Sequence, residues 1–151
     1  MRFLADHMLG SLARWMRFLG FDCAYPEVLP DKDLIDMAKR EERVILTRDK
    51  DLARVKDIKA LYFESTDLDK QLVHIIDTFH LKIENPFSRC SVCNSKLIEV
   101  DKRDVEGKVP KKVFAWRNEF LKCEKCQKYY WQGTHFEEIK DKIEKLERKA
   151  P

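Results

Sequence analysis

The apolar positions of the first half change period repeatedly. Arg2–Ala5 is a short apolar run of the kind that forms a buried strand. Leu9, Leu12, Ala13, Met16 and Leu19 then recur at three and four residues, which predicts one helix face, with Gly20 as its C-terminal stop. Phe21–Tyr25 reads as a second strand closed by Pro26. Asp31 opens a helix that turns Leu34, Ile35, Met37 and Ala38 inward. Val44–Leu46 is a third strand, apolar on both faces. Asp49–Val55 is a short helix, Ala60–Phe63 a fourth strand, and Leu68, Leu72, Ile75, Ile76 and Phe79 mark a last helix. Strand and helix alternating at this length predict an α/β domain, with a short parallel sheet between helices on both faces.

The second half reads differently. Lys96–Val100, Val113–Trp116 and Phe120–Leu121 are candidate strands of a small β ribbon. Phe136–Lys149 is a charged helix with Ile139, Ile143 and Leu146 on one face, to be packed on the body or on a partner. The expected units are residues 1–85, a ribbon over 86–136, and a terminal helix and tail over 137–151.

Composition narrows the class. The 151 residues are 44% hydrophobic and 38% charged, which excludes collagen-like and disordered chains. No apolar run reaches the roughly 18 residues of a membrane span. Asp6, Arg14 and Arg17 within the first twenty residues argue against a signal peptide, so a cytoplasmic protein is expected. Residues 1–85 carry 14 Lys and Arg against 16 Asp and Glu; residues 86–151 carry 16 against 11. A basic module beside a carboxylate-bearing one suits a polyanionic substrate.

In a parallel sheet the loops after the strands share one edge, where ligands bind. Asp6 follows the first strand, and Asp49 and Asp51 follow the third. Asp31 starts the helix leading into that third strand. Converging carboxylates repel unless a cation sits between them, and hard oxygen ligands suit Mg²⁺ or Mn²⁺. Such ions activate water for phosphodiester cleavage. Asp6, Asp31 and Asp49 are therefore candidate ligands, with Asp51 assisting and Asp33 auxiliary. The competing reading is that each Asp only caps its own helix. Arg14, Arg17, Thr47 and Arg48 are candidate substrate contacts near the same edge. The alternative for the arginines is a solvated helix face; Thr47 could instead hydrogen-bond a ligating Asp, or be a strand end without function.

Cys90-Ser91-Val92-Cys93 and Cys123-Glu124-Lys125-Cys126 are two CxxC pairs separated by 29 residues. Each pair aims two sulfurs at one point, and together they predict a tetrahedral zinc site, against the competing readings of a redox dithiol, which needs only one CxxC, or two disulfides. Cys23 lies far from both and reads as a small buried hydrophobe. Lysines and arginines on the ribbon alternate with Phe114, Trp116, Phe120, Tyr129, Tyr130 and Trp131. Cations neutralise phosphate and aromatic rings stack on bases, although a small ribbon also needs aromatics for its core. His135 is either a general acid, a phosphate contact or a structural residue.

Phe3-Leu4-Ala5-Asp6, Met8 to Trp15, Arg43 to Asp49, and the CxxC pairs ending in Trp131-Gln132-Gly133-Thr134-His135 together resemble the Mut-seven C-terminal RNase domain family. The resemblance implies a PIN-like three-layer nuclease domain joined to a zinc ribbon. It implies a metal-dependent RNA endonuclease whose acids fall on Asp6, on Asp31 sixteen residues before Thr47, and on Asp49 and Asp51. The Glu that many PIN domains carry on a central helix has no clear equivalent here. That departure leaves a second reading, a non-catalytic RNA- or ribosome-binding protein with a decayed site. A third is a zinc-stapled adaptor that binds a protein through its last helix. Oligomeric state is not legible.

Overall fold

The computed structural model describes residues 1–149. The front domain runs β1 (Arg2–Ala5), α1 (Gly10–Phe18), β2 (Asp22–Ala24), α2 (Asp31–Glu41), β3 (Val44–Thr47), α3 (Lys50–Ala53), β4 (Ala60–Tyr62) and α4 (Leu68–Phe79). The four strands lie in the order β2-β1-β3-β4, all parallel. Alternate residues of β1 and β3 feed opposite faces. Phe3, Ala5, Val44 and Leu46 pack with Leu12 and Met16 of α1 and Leu72 and Ile75 of α4. Leu4 and Ile45 pack with Leu34 and Ala38 of α2 and Leu52 of α3. Both faces of the sheet are covered, so its strands read as unbroken apolar runs.

The ribbon is a three-stranded antiparallel sheet, β5 (Ile98–Val100), β6 (Phe120–Cys123) and β7 (Lys128–Tyr130), in that order. Val113–Trp116, expected as a strand, instead lies in helix α5 (Lys111–Trp116). Pro110 stands at its N-cap, and the apolar run after it has no alternation to hold a strand register. The third strand is Lys128–Tyr130, paired antiparallel with β6. The last helix, α6, starts at Thr134 and runs to Lys149. Ile139, Ile143 and Leu146 are buried in the front domain's core beside α1 and α4. Lys142 fixes the crossing, with Nζ 2.7 Å from Asp69 and 4.5 Å from the Trp15 ring centre. Of the two fates open to that face, packing on the body is the one taken. Ala150 and Pro151, in the tail expected at 137–151, lie outside the described residues. No described helix is long and apolar enough to cross a membrane.

The ribbon is hydrogen-bonded to the front domain along the edge strand β2. Arg17 of α1 is 5% exposed. Its Nε donates to the Cys23 carbonyl at 2.9 Å, and its Nη1 donates to the carbonyls of Ser91 (2.9 Å) and Val92 (3.1 Å). Arg17 was expected at a substrate; the knuckle that covers it makes it a buried clasp between the two halves. The Cys23 amide donates to Asn94 Oδ1 at 3.0 Å, and Asn94 Nδ2 donates to Asp22 Oδ1 at 2.7 Å. The outward amide and carbonyl of Cys23 on the edge strand are thereby satisfied, the amide by the ribbon's Asn94 and the carbonyl by Arg17 of α1. Gly20 sits at φ +92°, and a Cβ there would lie 2.1 Å from the Asn85 carbonyl oxygen. The chain entering the ribbon therefore passes where only glycine leaves room.

Asp22 is the polar hub of this seam. Arg43 Nη1 lies 2.7 Å from it, with Arg2 at 3.5 Å and Arg89 at 3.9 Å. Burial alone would raise the Asp22 pKa. Hydrogen bonds from Arg43 and Asn94 and the charges of Arg43 and Arg89 overcome it and hold the carboxyl below its ordinary value. A depressed folded-state pKa gives stability that is present above the unfolded value and is lost as pH falls through the folded one. Asp22→Asn is therefore expected to lower Tm at neutral pH, with the gap to wild type closing below about pH 4. A gap unchanged across that range by scanning calorimetry would remove the charge from this account.

Candidate functional site: an acidic sheet edge and a four-cysteine cluster

The chain leaves β1 towards β2 on one side, and the later strands build on the other side with β3. The crevice between the carboxyl ends of β1 and β3 is thus the topological switch point of the sheet. Asp6 sits there, 4% exposed, its amide donating to the Leu46 carbonyl at 3.1 Å. Its Oδ1 accepts the Met8 amide at 3.0 Å, a local turn ahead of α1. Its Oδ2 accepts the hydroxyl of Thr47, the fully buried last residue of β3. The same hydroxyl accepts the Asp49 amide at 2.9 Å. Asp49 Oδ1 accepts the amides of Asp51 (2.8 Å) and Leu52 (3.3 Å), and so caps α3. Asp6, Thr47 and Asp49 form one hydrogen-bonded chain across the switch point.

The other candidates are placed less tightly. Asp31 is the first residue of α2, exposed, with Pro30 at the N-cap and no side-chain cap bond. Because every strand runs the same way, α2 also starts at the carboxyl edge. Asp51 and Asp33 lie exposed in the first turns of α3 and α2. Arg48 Nη2 donates to the Glu64 carbonyl at 3.1 Å, and its Nε is buried without a partner. Among the described residues, one group of three or more His, Cys, Asp and Glu side chains brings its ligand atoms within 4.8 Å of one another, and that group is the cysteines. Asp6, Asp31 and Asp49 share an edge without being drawn to that range. The Asp6 carboxylate is bonded to the Thr47 hydroxyl, which also takes the Asp49 backbone amide, and Mg²⁺ needs only one or two carboxylates, completing its shell with water and phosphate.

Cys90, Cys93, Cys123 and Cys126 are built on two copies of the same turn. The Asn94 amide donates to the Cys90 carbonyl at 2.9 Å and the Gln127 amide to the Cys123 carbonyl at 2.7 Å. Asn94 and Gln127 both take positive φ, 72° and 59°. Each knuckle thereby turns two sulfurs inward. Cys93 and Cys123 Sγ lie 3.4 Å apart. Bonds of about 2.3 Å at a tetrahedral angle put sulfurs roughly 3.8 Å apart, so the four fit zinc. The thiols compete for one negative charge. Burial opposes the Cys93 thiolate, but bonds from Ser95, Cys126 and Cys123 prevail and bring its pKa down to about 6. Cys126, bonded to Cys93 and desolvated, is pushed up to about 12. A dication relieves that competition, because all four sulfurs can then be thiolates.

Tyr130 and Asn94 belong to this site and carry no motif of their own. Tyr130 Oη lies 3.0 Å from Cys90 Sγ and accepts the Ser91 amide at 3.3 Å. The local β6–β7 hairpin sets its strand position, but its contact with Cys90 spans forty residues of chain. Asn94 could have been read from its position directly after a CxxC, where the turn needs a left-handed residue. Cys23 is fully buried, and burial pushes its thiol up to about 12, which fits its reading as an inert core residue.

The family model of the Mut7-C RNAse domain matches residues 1–143. The chain belongs to the Mut7-C RNAse domain family. No curated protein and no solved structure matches it. Membership in the Mut7-C family gives a nuclease-like, RNA-directed function as the coarse reading. The four cysteines of this Mut7-C chain can hold a zinc ion.

Two outcomes are expected. Thr47→Val leaves the buried Asp6 carboxylate short of a donor and should lower the unfolding free energy by about 1–3 kcal/mol in urea titration, whereas Thr47→Ser should stay close to wild type. Protein produced with zinc should hold one ion per chain, which Cys123→Ser loses. Stripping the ion should also speed hydrogen exchange at the Cys23 amide, whose acceptor Asn94 stands on the first knuckle. A metal-free protein with unchanged Tm would refute the zinc assignment.

Proposed function

We propose that the chain is a Mg²⁺- or Mn²⁺-dependent RNA endonuclease acting at the switch point of the front sheet. The observation that carries this reading is the hydrogen-bonded chain from Asp6 through Thr47 to Asp49 at the carboxyl ends of β1 and β3. A bound divalent ion supplies an activated water and neutralises charge at the phosphodiester. Asp6 and Asp49 are assigned as its ligands, with Asp31 as a third and Asp51 assisting from the first turn of α3. Thr47 is a positioning residue: its hydroxyl donates to Asp6 and keeps that carboxylate from turning into the core. Arg48, next in the chain, is assigned to the substrate phosphate.

The second reading, an RNA binder without catalysis, is favoured by one observation: the three acids are not gathered within 4.8 Å. RNA entry would have to complete the ion's shell with phosphate oxygens. Cleavage of mixed-sequence RNA separates the two. The nuclease reading expects product only with added Mg²⁺ or Mn²⁺. It also expects a loss of about a hundredfold or more in Asp6→Asn and Asp49→Asn, since a bound metal contributes several kcal/mol to such a step. RNA retained without product, in a salt-dependent and Mg²⁺-independent manner, would establish the binder instead.

A further inference from the structure

A cleft of about 700 Å³ lies between the ribbon sheet, α1 and the start of α6. Its walls include Arg14, Lys128, Tyr130, Trp131, His135 and Phe136. The Arg14 guanidinium lies over Phe18 at 5.8 Å from the ring centre, and Lys128 Nζ lies 5.4 Å from the centre of Tyr130. Arg14 and Lys128 are both exposed and form no ion pair within 4.0 Å among the described residues. Arg89, the third cation of the lining, is already committed to Asp22 and to the Asn94 carbonyl. Two acids also line the cleft: Glu99 on β5, two strands and about 10 Å from β7, and Glu119 just before β6. The Trp131 indole is held by the turn beneath it. The Gly133 amide donates to the Trp131 carbonyl at 3.1 Å, and a Cβ on Gly133 would come within 3.2 Å of Trp131 Nε1.

We infer that this cleft seats unpaired nucleotides of a single RNA strand, with a base against Trp131 and the backbone phosphate between Arg14 and Lys128. The choice of RNA rests on the nuclease reading; the choice of an unpaired strand rests on the cleft. Aromatic faces accept any base once it is unstacked, and two free cations at the rim match a phosphate. A duplex offers no exposed base face to such walls. The volume falls in the range of small-ligand sites. Arg14 stands about 6 Å along α1 from Gly10, and Asp6 lies beyond that N-terminal end. One strand running along α1 therefore reaches both the cleft and the acidic edge. Arg14, Trp131 and His135 thereby receive a common place that the chain's order does not disclose.

The test uses the full zinc-loaded chain without added Mg²⁺ or Mn²⁺ and a short fluorescent oligoadenylate, alone or annealed to its complement. The single strand should bind more tightly than the duplex and should quench tryptophan emission. Arg14→Ala, Lys128→Ala and Trp131→Ala should each weaken single-strand binding about tenfold, and Trp131→Phe should recover most of it. Because Arg14 and Lys128 are exposed, their variants test the cleft even where Trp131→Ala fails to fold. Equal binding of single strand and duplex, or wild-type binding by the Arg14 and Lys128 variants, overturns the cleft. Cleavage by Asp6→Asn is read separately. Its loss alongside unchanged binding in the cleft variants removes this inference alone. Cleft-dependent binding with no cleavage by any form keeps the inference and removes the nuclease reading.

Discussion

The parallel pairing of β1 with β3 decides most of what this molecule can do. It sets Ala5 beside Leu46, so the next residue on each strand, Asp6 and Thr47, must meet at the sheet edge. Both are buried there, and a buried carboxylate is tolerated only when its oxygens are bonded. Thr47 and the Met8 amide provide those bonds. A one-residue slip in the register would turn Phe3 and Leu46 to the wrong layer and separate the pair. The acidic edge is therefore held by the same apolar contacts that hold the core.

A second constraint joins the modules. A ribbon of three short strands has too little core to stand without a staple, and zinc is a common one. Here the knuckle is also bonded to β2 through Arg17 and Asn94, and α6 returns from the ribbon to fill the core between α1 and α4. Folding of the front domain and ordering of the ribbon are thus coupled. The cleft between them is bounded by elements that are each fixed by buried contacts, which is what a binding surface requires if the ordering entropy is not to be met by the ligand.

What the sequence disclosed follows from which signals are local. The front strands were legible because runs such as Val44–Leu46 are buried on both faces, and α1 because its apolar spacing has one period. The two CxxC pairs were legible because four sulfurs have one common use. The edge carrying Asp6, Asp31 and Asp49 followed from topology, but their separations did not, since loop and cap geometry decides distance. Asp49 caps α3 while also lying at the switch point, so the cap and the edge position coexist. Arg17 was misjudged because its cover, the Ser91 and Val92 carbonyls, lies over seventy residues away. Val113–Trp116 was misjudged because a continuous apolar run fits strand and helix equally.

The charge arrangement then acquires a geometric sense. The net-negative front half would repel a polyanion approaching its acidic edge, and the divalent ion of the proposed reading would offset only part of that repulsion. The net-positive second half is docked on the same helix, α1, whose N-terminus borders Asp6 and whose C-terminal turn bears Arg17. On the proposed reading, a phosphodiester chain attracted to the ribbon would be brought alongside the edge it would otherwise avoid. Most of the attraction would then come from the ribbon, with Arg14 and Arg48 as the front domain's share, because further cations packed around Asp6 and Asp49 would compete with a divalent ion for those carboxylates.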